Sequence, residues 1–267
     1  MLLRFNIKNF LSFYKETSFD MFPNIKRTTF SNHIYDKLEV PVLKQAAIYG
    51  PNGSGKSNFI TAISFLRYFV LDEDFLKNID FDEYIFQLTE KKQPKISFEI
   101  EFYIKKKFFL YKVEMERSTI TERLYLSGVG VKENKLLYGR SGSKIESSYL
   151  SNEESAKKLL KMNSLSCLLP LNQKFPVLDN DDVKLAFKWF RENLEIVTIN
   201  SQVPALIELM HKQKSLLSMT NSIMKNIDVG VNALSIEDTP FDEWIKTKKN
   251  ADELQQIIKN EPLKPNT

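Results

Sequence analysis

The cleanest alternation in the chain runs from Ile96 to Ile104. Ile96, Phe98, Ile100, Phe102 and Ile104 alternate with Ser97, Glu99, Glu101 and Tyr103. Successive side chains of a strand point to opposite faces, so this period of two predicts a half-buried strand. A lysine turn, Lys105 to Lys107, follows, and Phe109, Tyr111, Val113 and Met115 read as the returning strand. Shorter strands are expected at 119–126, 129–132 and 135–138, with Gly128, Asn134 and Gly139 at turns. Together they predict an antiparallel meander over about 95–140. The start of the chain repeats the pattern: Leu3, Phe5 and Ile7 alternate with Arg4, Asn6 and Lys8, and Phe19 and Met21 mark a second strand paired with the first. The polar stretch from Pro23 to Val40 reads as a loop.

Helical spacing takes over elsewhere. Phe59, Ile63, Leu66 and Val70 recur at three- and four-residue intervals, the spacing of one helix face. Ahead of them, Ala46-Ala47-Ile48-Tyr49 is a short apolar run, expected to be a buried strand. A helical region is predicted over about 151–228. Its segments are Glu153 to Met162, then Asp181 to Asn193 capped by Asp179 or Asp181, and finally one long helix from Ala205 to Ile227. The Leu and Met stripe of that last helix, Leu206, Leu209, Met210, Leu217, Met224 and Ile227, reads as packing. Short strands are expected at Leu194 to Ile199 and Val231 to Ile236. Residues 239–267 are polar and end with Pro262 and Pro265, as a linker or the start of a further part would.

Between the apolar run and the first helix lies Gly50-Pro51-Asn52-Gly53-Ser54-Gly55-Lys56-Ser57, which meets the pattern GxxxxGKS. Its glycines allow backbone conformations closed to other residues, so that successive N–H groups can turn inward as an anion nest. The helix that follows adds the positive end of its dipole. Lys56 supplies a full charge for β- and γ-phosphates, and the Ser57 hydroxyl is a hard oxygen ligand for magnesium. The residues assigned to the phosphates are Gly50, Asn52, Gly53, Ser54, Gly55, Lys56, Ser57 and Asn58. The ligands expected are ATP and Mg2+.

Composition narrows the class. Of 267 residues 42% are hydrophobic and 12% aromatic, with 20 Phe against 8 Gly, which excludes a fibrous or disordered chain. The formal net charge of +4 is dispersed over small clusters such as Lys157-Lys158, so nucleic-acid contact is permitted but not demanded. The lone Cys167 excludes an intramolecular disulfide and, with leucines around it, reads as a buried thiol. His33 and His211 stand too far apart in sequence to suggest a metal cluster. Arg4, Lys8 and Lys15 interrupt any signal-peptide core, and no run approaches membrane-spanning length, so a cytoplasmic location is expected.

Hydrolysis requires a carboxylate after an apolar strand to hold magnesium, and a group to position water. Tyr68-Phe69-Val70-Leu71-Asp72-Glu73 has the letters of that element. It falls in the last turn of the first helix, too far from the phosphates to reach them. Leu234-Ser235-Ile236-Glu237-Asp238 is weaker. Leu126 to Val129 and Tyr138 to Gly142 lack the context of an ABC signature segment.

The opening Asn9-Phe10-Leu11-Ser12-Phe13 and the unit AAIYGPNGSGKSNFITAISFL resemble the ABC-type ATPases of the SMC and RecF group. The likeness is greatest to the bacterial AAA branch of overcoming-lysogenization-defect ATPases and the ATPase subunits of Septu and RloA-like anti-phage systems. Met224 to Val231 is similar to a recurring element of that branch. The resemblance implies an α/β P-loop NTPase: an ABC-type N-terminal lobe over 1–238, with an antiparallel β-subdomain and a helical region. It implies head-to-tail homodimers or higher oligomers that sandwich ATP, a nuclease or toxin effector as partner, and contact with nucleic acid for some relatives. The signature, the Walker B element and the switch histidine of such proteins lie in a later half, so the resemblance makes this chain an N-terminal portion. Two positions depart from the pattern. Leu11 stands where many relatives carry a basic residue, and Gln87 is the nearest match to the glutamine that in relatives assists magnesium. The alternatives are a nucleotide-binding regulatory module that does not hydrolyse, and a DNA-repair or chromosome-associated ATPase, for which the chain shows no sustained heptads.

Overall fold

A computed structural model describes residues 1–24, 26, 29–89, 95–127, 134–198, 201, 204–227, 230–240 and 243–244. The chain divides into two units, Met1–Ile196 and Val197–Thr267. The first unit is built on one seven-stranded sheet. Its strands are β1 (Leu2–Lys8), β2 (Thr17–Asp20), β5 (Ile96–Ile104), β6 (Lys107–Met115), β7 (Ile120–Ser127), β8 (Lys135–Ser141) and β9 (Lys144–Glu146), in the order β2-β1-β5-β6-β7-β8-β9. All neighbours are antiparallel. A two-stranded ribbon pairs β3 (Ile34–Tyr35), inside the predicted loop, with β4 (Val42–Leu43) just beyond it.

The alternation at 96–104 is realised residue by residue, buried at Ile96, Phe98, Ile100, Phe102 and Ile104. These side chains face α1 (Lys56–Leu71), α3 (Leu168–Lys174) and α4 (Asp181–Glu192), together with α2 (Glu153–Met162). Aromatic rings knit the layers: Phe102 stacks on Trp189 at 4.3 Å, Phe10 meets Phe65 edge-on at 5.2 Å, and Phe5 stacks on Phe98 at 5.8 Å. Each large apolar side chain so buried contributes about 1.5–3 kcal/mol. In α1 the buried set is Phe59, Ala62, Ile63, Phe65, Leu66, Phe69 and Val70, a stripe wide enough to touch both the sheet and the other helices. Arg67, on the rim of that stripe, donates through Nε to the carbonyls of Phe190 (3.2 Å) and Leu194 (2.6 Å), closing the C-terminal end of α4.

The opposite face of the sheet holds a smaller core. The register of β1 against β5 shifts between Leu2 and Arg4, leaving Leu3 as an extra residue. Leu3 consequently packs with Val42 and Phe108, against Met21, Phe22, Leu38, Val40 and Tyr103, while Phe5 and Ile7 remain in the main core.

Several sequence expectations are corrected. Ala46 to Tyr49 forms no strand and is exposed, with Tyr49 90% accessible, because among the described residues no neighbouring strand offers it a ladder. Gly139 lies inside β8, opposite Arg123, rather than at a turn. The cap of α4 is Asn180, whose Oδ1 accepts from the N–H groups of Asp182 and Val183, rather than Asp179 or Asp181. Residues 194–198 form no strand, since the chain after α4 turns back against Trp189 through Leu194. The helix α3 and the strand β9 carry no periodic signal long enough to announce them. The expected strand at 129–132 lies outside the described residues, apart from its place between β7 and β8 in sequence.

In the second unit the single helix expected over 205–227 is two, α5 (Pro204–Lys212) and α6 (Lys214–Ile227). Gln213 is the joint. Its N–H donates to Leu209 O at 2.8 Å and its carbonyl accepts from Leu216 and Leu217, ending one helix and starting the next. Folding back lets Thr220 Oγ1 reach Met210 Sδ at 3.7 Å, a contact a continuous helix forbids. Val231 to Ile236 is not a strand. The side-chain amide of Asn221 takes both the N–H (2.6 Å) and the carbonyl (3.2 Å) of Leu234, where a strand partner would have sat.

Candidate phosphate-binding site

The glycine-rich loop enters from the extended segment after β4 and ends at Gly55, the N-cap of α1. A bond from Ser54 N to Pro51 O (3.2 Å) folds it, and Gly53 (φ +78°) and Gly55 (φ +92°) take left-handed conformations that side chains disfavour. The loop is also crowded. A Cβ on Gly50 would lie 2.6 Å from Ser54 Oγ, and a Cβ on Gly55 would lie 2.6 Å from Ser12 Oγ. Lys56 reaches back over the loop, and its Nζ donates to Gly50 O and Pro51 O at 2.7 Å each. The ammonium is thereby held at the loop's mouth by two carbonyls, beside the first turn of α1.

Asn52 to Asn58 line a cavity of about 250 Å3. Seven of the eight residues assigned from sequence, Asn52, Gly53, Ser54, Gly55, Lys56, Ser57 and Asn58, thus surround one space. The eighth, Gly50, lines an adjoining cavity of about 380 Å3, which shares Ser54, Gly55 and Lys56 with the first. That second space is walled by Phe13, Phe19, Ile48, Tyr49 and Phe59. In the sequence the marked ones among them read as strand or helix packing positions, and none is assigned to a site. They come together only because β2 and the hairpin before it fold against the loop.

This hairpin is the Phe10–Phe13 turn, closed by reciprocal backbone bonds of 3.0 and 2.8 Å. Leu11 sits within it at φ +47°, half-buried against the main core. A left-handed leucine costs about 1–3 kcal/mol, which surrounding packing must hold in place. Leu11 N donates to Tyr84 O at 2.7 Å, and Tyr14 packs on Phe86 at 5.1 Å. Gln87 belongs to that neighbouring segment. Its Nε2 donates to Asp82 O (2.7 Å) and Ile85 O (2.8 Å), and it lines neither cavity. The hairpin thus touches the segment before Gln87 through Leu11 and Tyr84, and the loop through Ser12 and Gly55.

Of the two acidic strings, Asp72-Glu73 lies at the far end of α1. Asp72 is the C-cap of α1, and the 16 residues of that helix separate it from Gly55 by roughly 24 Å at 1.5 Å per residue. Glu73 pairs with Lys174 at 2.6 Å. In the second unit Asp238 meets His211 at 3.1 Å. Among the described residues no three His, Cys, Asp or Glu side chains are grouped to hold a metal ion. A magnesium ion at the loop would rest on the Ser57 hydroxyl and on ligand oxygens, which suits an ion that retains water and takes few protein ligands.

A second concentration of ionisable groups is structural. Glu122 and Arg140, opposite each other on β7 and β8, pair at 3.2 Å with both side chains fully buried. Glu122 Oε2 accepts from Tyr111 (2.7 Å) and Tyr138 (3.1 Å), and Oε1 accepts from Leu168 N at the start of α3 (2.8 Å). Arg140 donates to the carbonyls of Ser166 (2.7 Å) and Ser164 (2.9 Å). Burial pushes the Cys167 thiol and the Tyr111 and Tyr138 phenols well above their ordinary values, with the Glu122 carboxylate adding to each. Cys167 is thus the buried thiol its leucine neighbours predicted.

Residues 46–165 match the family model described as "AAA domain, putative AbiEii toxin, Type IV TA system". The matched segment, less than half of the chain, runs from the apolar run before the phosphate loop through α1, the meander and α2. No curated protein matches the chain. The match and the mixed α/β architecture are those of a P-loop NTPase fold, and the match supports an AAA-type ATPase. No helix among the described residues is long and apolar enough to cross a membrane.

Proposed function

We propose that this chain is the nucleotide-binding part of an ATPase that grips Mg–ATP through Gly50 to Asn58. One observation carries the reading: the residues of the GxxxxGKS pattern line one cavity at the N-terminus of α1, with the Lys56 ammonium held across its mouth. Backbone N–H groups of the loop and the helix dipole would take the phosphate oxygens. Lys56 would exchange its two carbonyl partners for β- and γ-phosphate oxygens, so that its charge is satisfied before and after binding. Magnesium bound to Ser57 would neutralise charge on the transferring phosphoryl group. The description of the matched family, together with the sequence resemblance, supports an ATPase that controls a toxin or nuclease effector in anti-phage defence, acting as a dimer.

A second reading, a nucleotide-binding regulatory module without turnover of its own, is favoured by the placement of Asp72 and Glu73 at the far end of α1. Equilibrium binding of Mg–ATP and steady-state phosphate release on the chain and on Lys56→Ala test both. Loss of at least about tenfold in affinity on Lys56→Ala supports the loop assignment, given the weight of a charge-assisted phosphate contact. Unchanged affinity overturns it. Phosphate release by the isolated chain that Lys56→Ala abolishes would exclude the second reading.

A further inference from the structure

One two-residue turn of the meander carries lysines where asparagine and glycine are favoured. β5 and β6 pair in register up to Ile104 and Lys107, so that Lys105 and Lys106 alone close the hairpin. Both stand at positive φ, +47° and +62°, the signature of a type I′ turn. That turn prefers Asn-Gly, because a long side chain at positive φ crowds its own backbone. Strain of this kind collects at positions that serve something other than the fold. What the two lysines supply is charge. Lys107 beside them is neutralised by Asp182. Lys105 and Lys106 are exposed and, among the described residues, have no carboxylate partner.

The complementary charge lies at the other end of the same strands. Residues 72–83 hold six carboxylates and one lysine. Arg117, in the turn after β6, donates to both oxygens of Asp82 and so fixes the later half of this segment at the Ile96–Met115 end of the sheet. The nine residues of β5 separate that end from the lysine turn by roughly 30 Å, at about 3.4 Å per residue. Lys77 answers Asp74, Lys174 answers Glu73 and Arg117 answers Asp82. Asp72, Asp80 and Glu83 have no cationic partner among the described residues. The two patches therefore cannot meet within one molecule. We infer that the Lys105–Lys106 turn docks the acidic segment 72–83 of a second copy of this chain, so that copies associate end to end. A contact between unlike surfaces leaves one patch free on each outer copy and builds open chains. A long polyanion fits the turn less well, because Asp182 and Asp181, the latter with its side chain 95% exposed, border it with like charge. The contact uses no residue of the phosphate loop and stands whether or not that loop binds nucleotide.

Static light scattering of the full chain reads such an attraction as a negative osmotic second virial coefficient. The parent is expected to show a negative value at about 20 mM NaCl that rises to zero or above at about 500 mM, where the screening length falls to about 4 Å. Lys105→Asn with Lys106→Gly removes both charges and relieves the turn, so its thermal midpoint should rise by about 2–4 °C. The same variant removes two of the +4 net charges, which on general repulsion alone would make the molecules more attractive. Docking requires the reverse, a coefficient at or above zero in low salt. Asp72→Asn, Asp80→Asn and Glu83→Gln together keep their hydrogen-bond acceptors and should abolish the attraction as well. An equimolar mixture of the two variants should become attractive again, because each keeps the patch the other has lost. A parent without attraction at low salt, a lysine variant more attractive than the parent, or a mixture no more attractive than its components would overturn the inference. A lysine variant that melts below the parent would show that the lysines serve the turn itself, and would overturn it equally. Binding of a duplex of about 20 base pairs by a parent without self-attraction, lost with the lysines, would give the turn to a phosphate backbone instead.

Discussion

Ser12 and Gly55 approach so closely that the space for a side chain at Gly55 is already filled by the Ser12 hydroxyl, 2.6 Å from where a Cβ would stand. The contact joins the N-terminal hairpin to the phosphate loop, and two separable costs meet there. Gly55→Ala introduces a clash and forces alanine into φ +92°. The backbone cost alone is about 1–2 kcal/mol. Removing the hydroxyl relieves the clash but not the backbone, since Ser12 Cβ stands at an ordinary 3.5 Å. Urea unfolding of Gly55→Ala, Ser12→Ala and the double variant should show positive coupling, with the double variant more stable than Gly55→Ala yet still below the parent. Strict additivity would show that the two residues do not touch in this way.

The buried pair predicts an asymmetric response. Glu122→Gln leaves the Arg140 charge buried without its counter-ion and should cost about 3–5 kcal/mol. Replacing both partners, as Glu122→Leu with Arg140→Met, removes the stranded charge and should recover a large part of that loss. Thermal unfolding followed by circular dichroism distinguishes the two. A double variant no better than Glu122→Gln would mean that the bonds to Leu168, Ser164 and Ser166 outweigh the charge itself.

Around the same cluster, stability should fall on the alkaline side. Cys167, Tyr111 and Tyr138 all have folded values raised above the ordinary 9.0 and 10.0. Above those ordinary values the unfolded chain releases protons that the folded chain retains, so the stabilisation is full below pH 9 and is lost as pH climbs toward the folded values. The denaturant midpoint should decline from about pH 9 upward, and Cys167→Ser should move the onset to about pH 10, where the tyrosines take over. A midpoint flat to pH 11 would contradict the burial of these groups. The native thiol should also resist alkylation until the protein unfolds.

Arg67 should matter to stability and not to ligand affinity. Its two bonds to the carbonyls of Phe190 and Leu194 are charge-assisted, and Arg67→Ala should destabilise by about 1.5–3 kcal/mol. The site lies three turns from Lys56 on the same helix. ATP affinity measured on the folded variant should match the parent, and a large drop would show that the pitch of α1 is transmitted to the loop.

How far the sequence carried the structure depended on how local each signal was. The strand at 96–104 and the helix at 153–162 were legible because their burial follows one period throughout, and the phosphate loop because its spacing states a geometry. Tertiary partners decided the rest. Ala46 to Tyr49 looks like a strand by composition, but a strand exists only where a ladder is offered. Gln213 is a good helix former, and only the packing of α5 on α6 makes it a break. Asn180 rather than an aspartate caps α4, a choice among three adjacent polar residues that propensity does not resolve. Of the site, the phosphate residues were visible in advance. Phe19, Tyr49 and Phe59 were not, since they belong to different elements, β2, the segment before the loop and α1, which only the fold brings together.

The place of β1 in the sheet also bears on the order in which the molecule assembles. β5 to β9 pair with sequential neighbours, whereas β1 finds β5 across nearly a hundred residues, as the Arg4–Glu101 pair at a separation of 97 records. Closing so long a loop is slow relative to zipping a meander. The first strand synthesised is therefore among the last to be secured. Substitutions at Phe5 or Ile7 should quicken unfolding far more than they slow folding, and the reverse should hold for Ile100 and Tyr111. Because Phe10, Leu11 and Ser12 follow β1 directly, the hairpin that braces Gly55 waits on the same event. Competence to hold a ligand would then appear only late in folding, after the meander has formed.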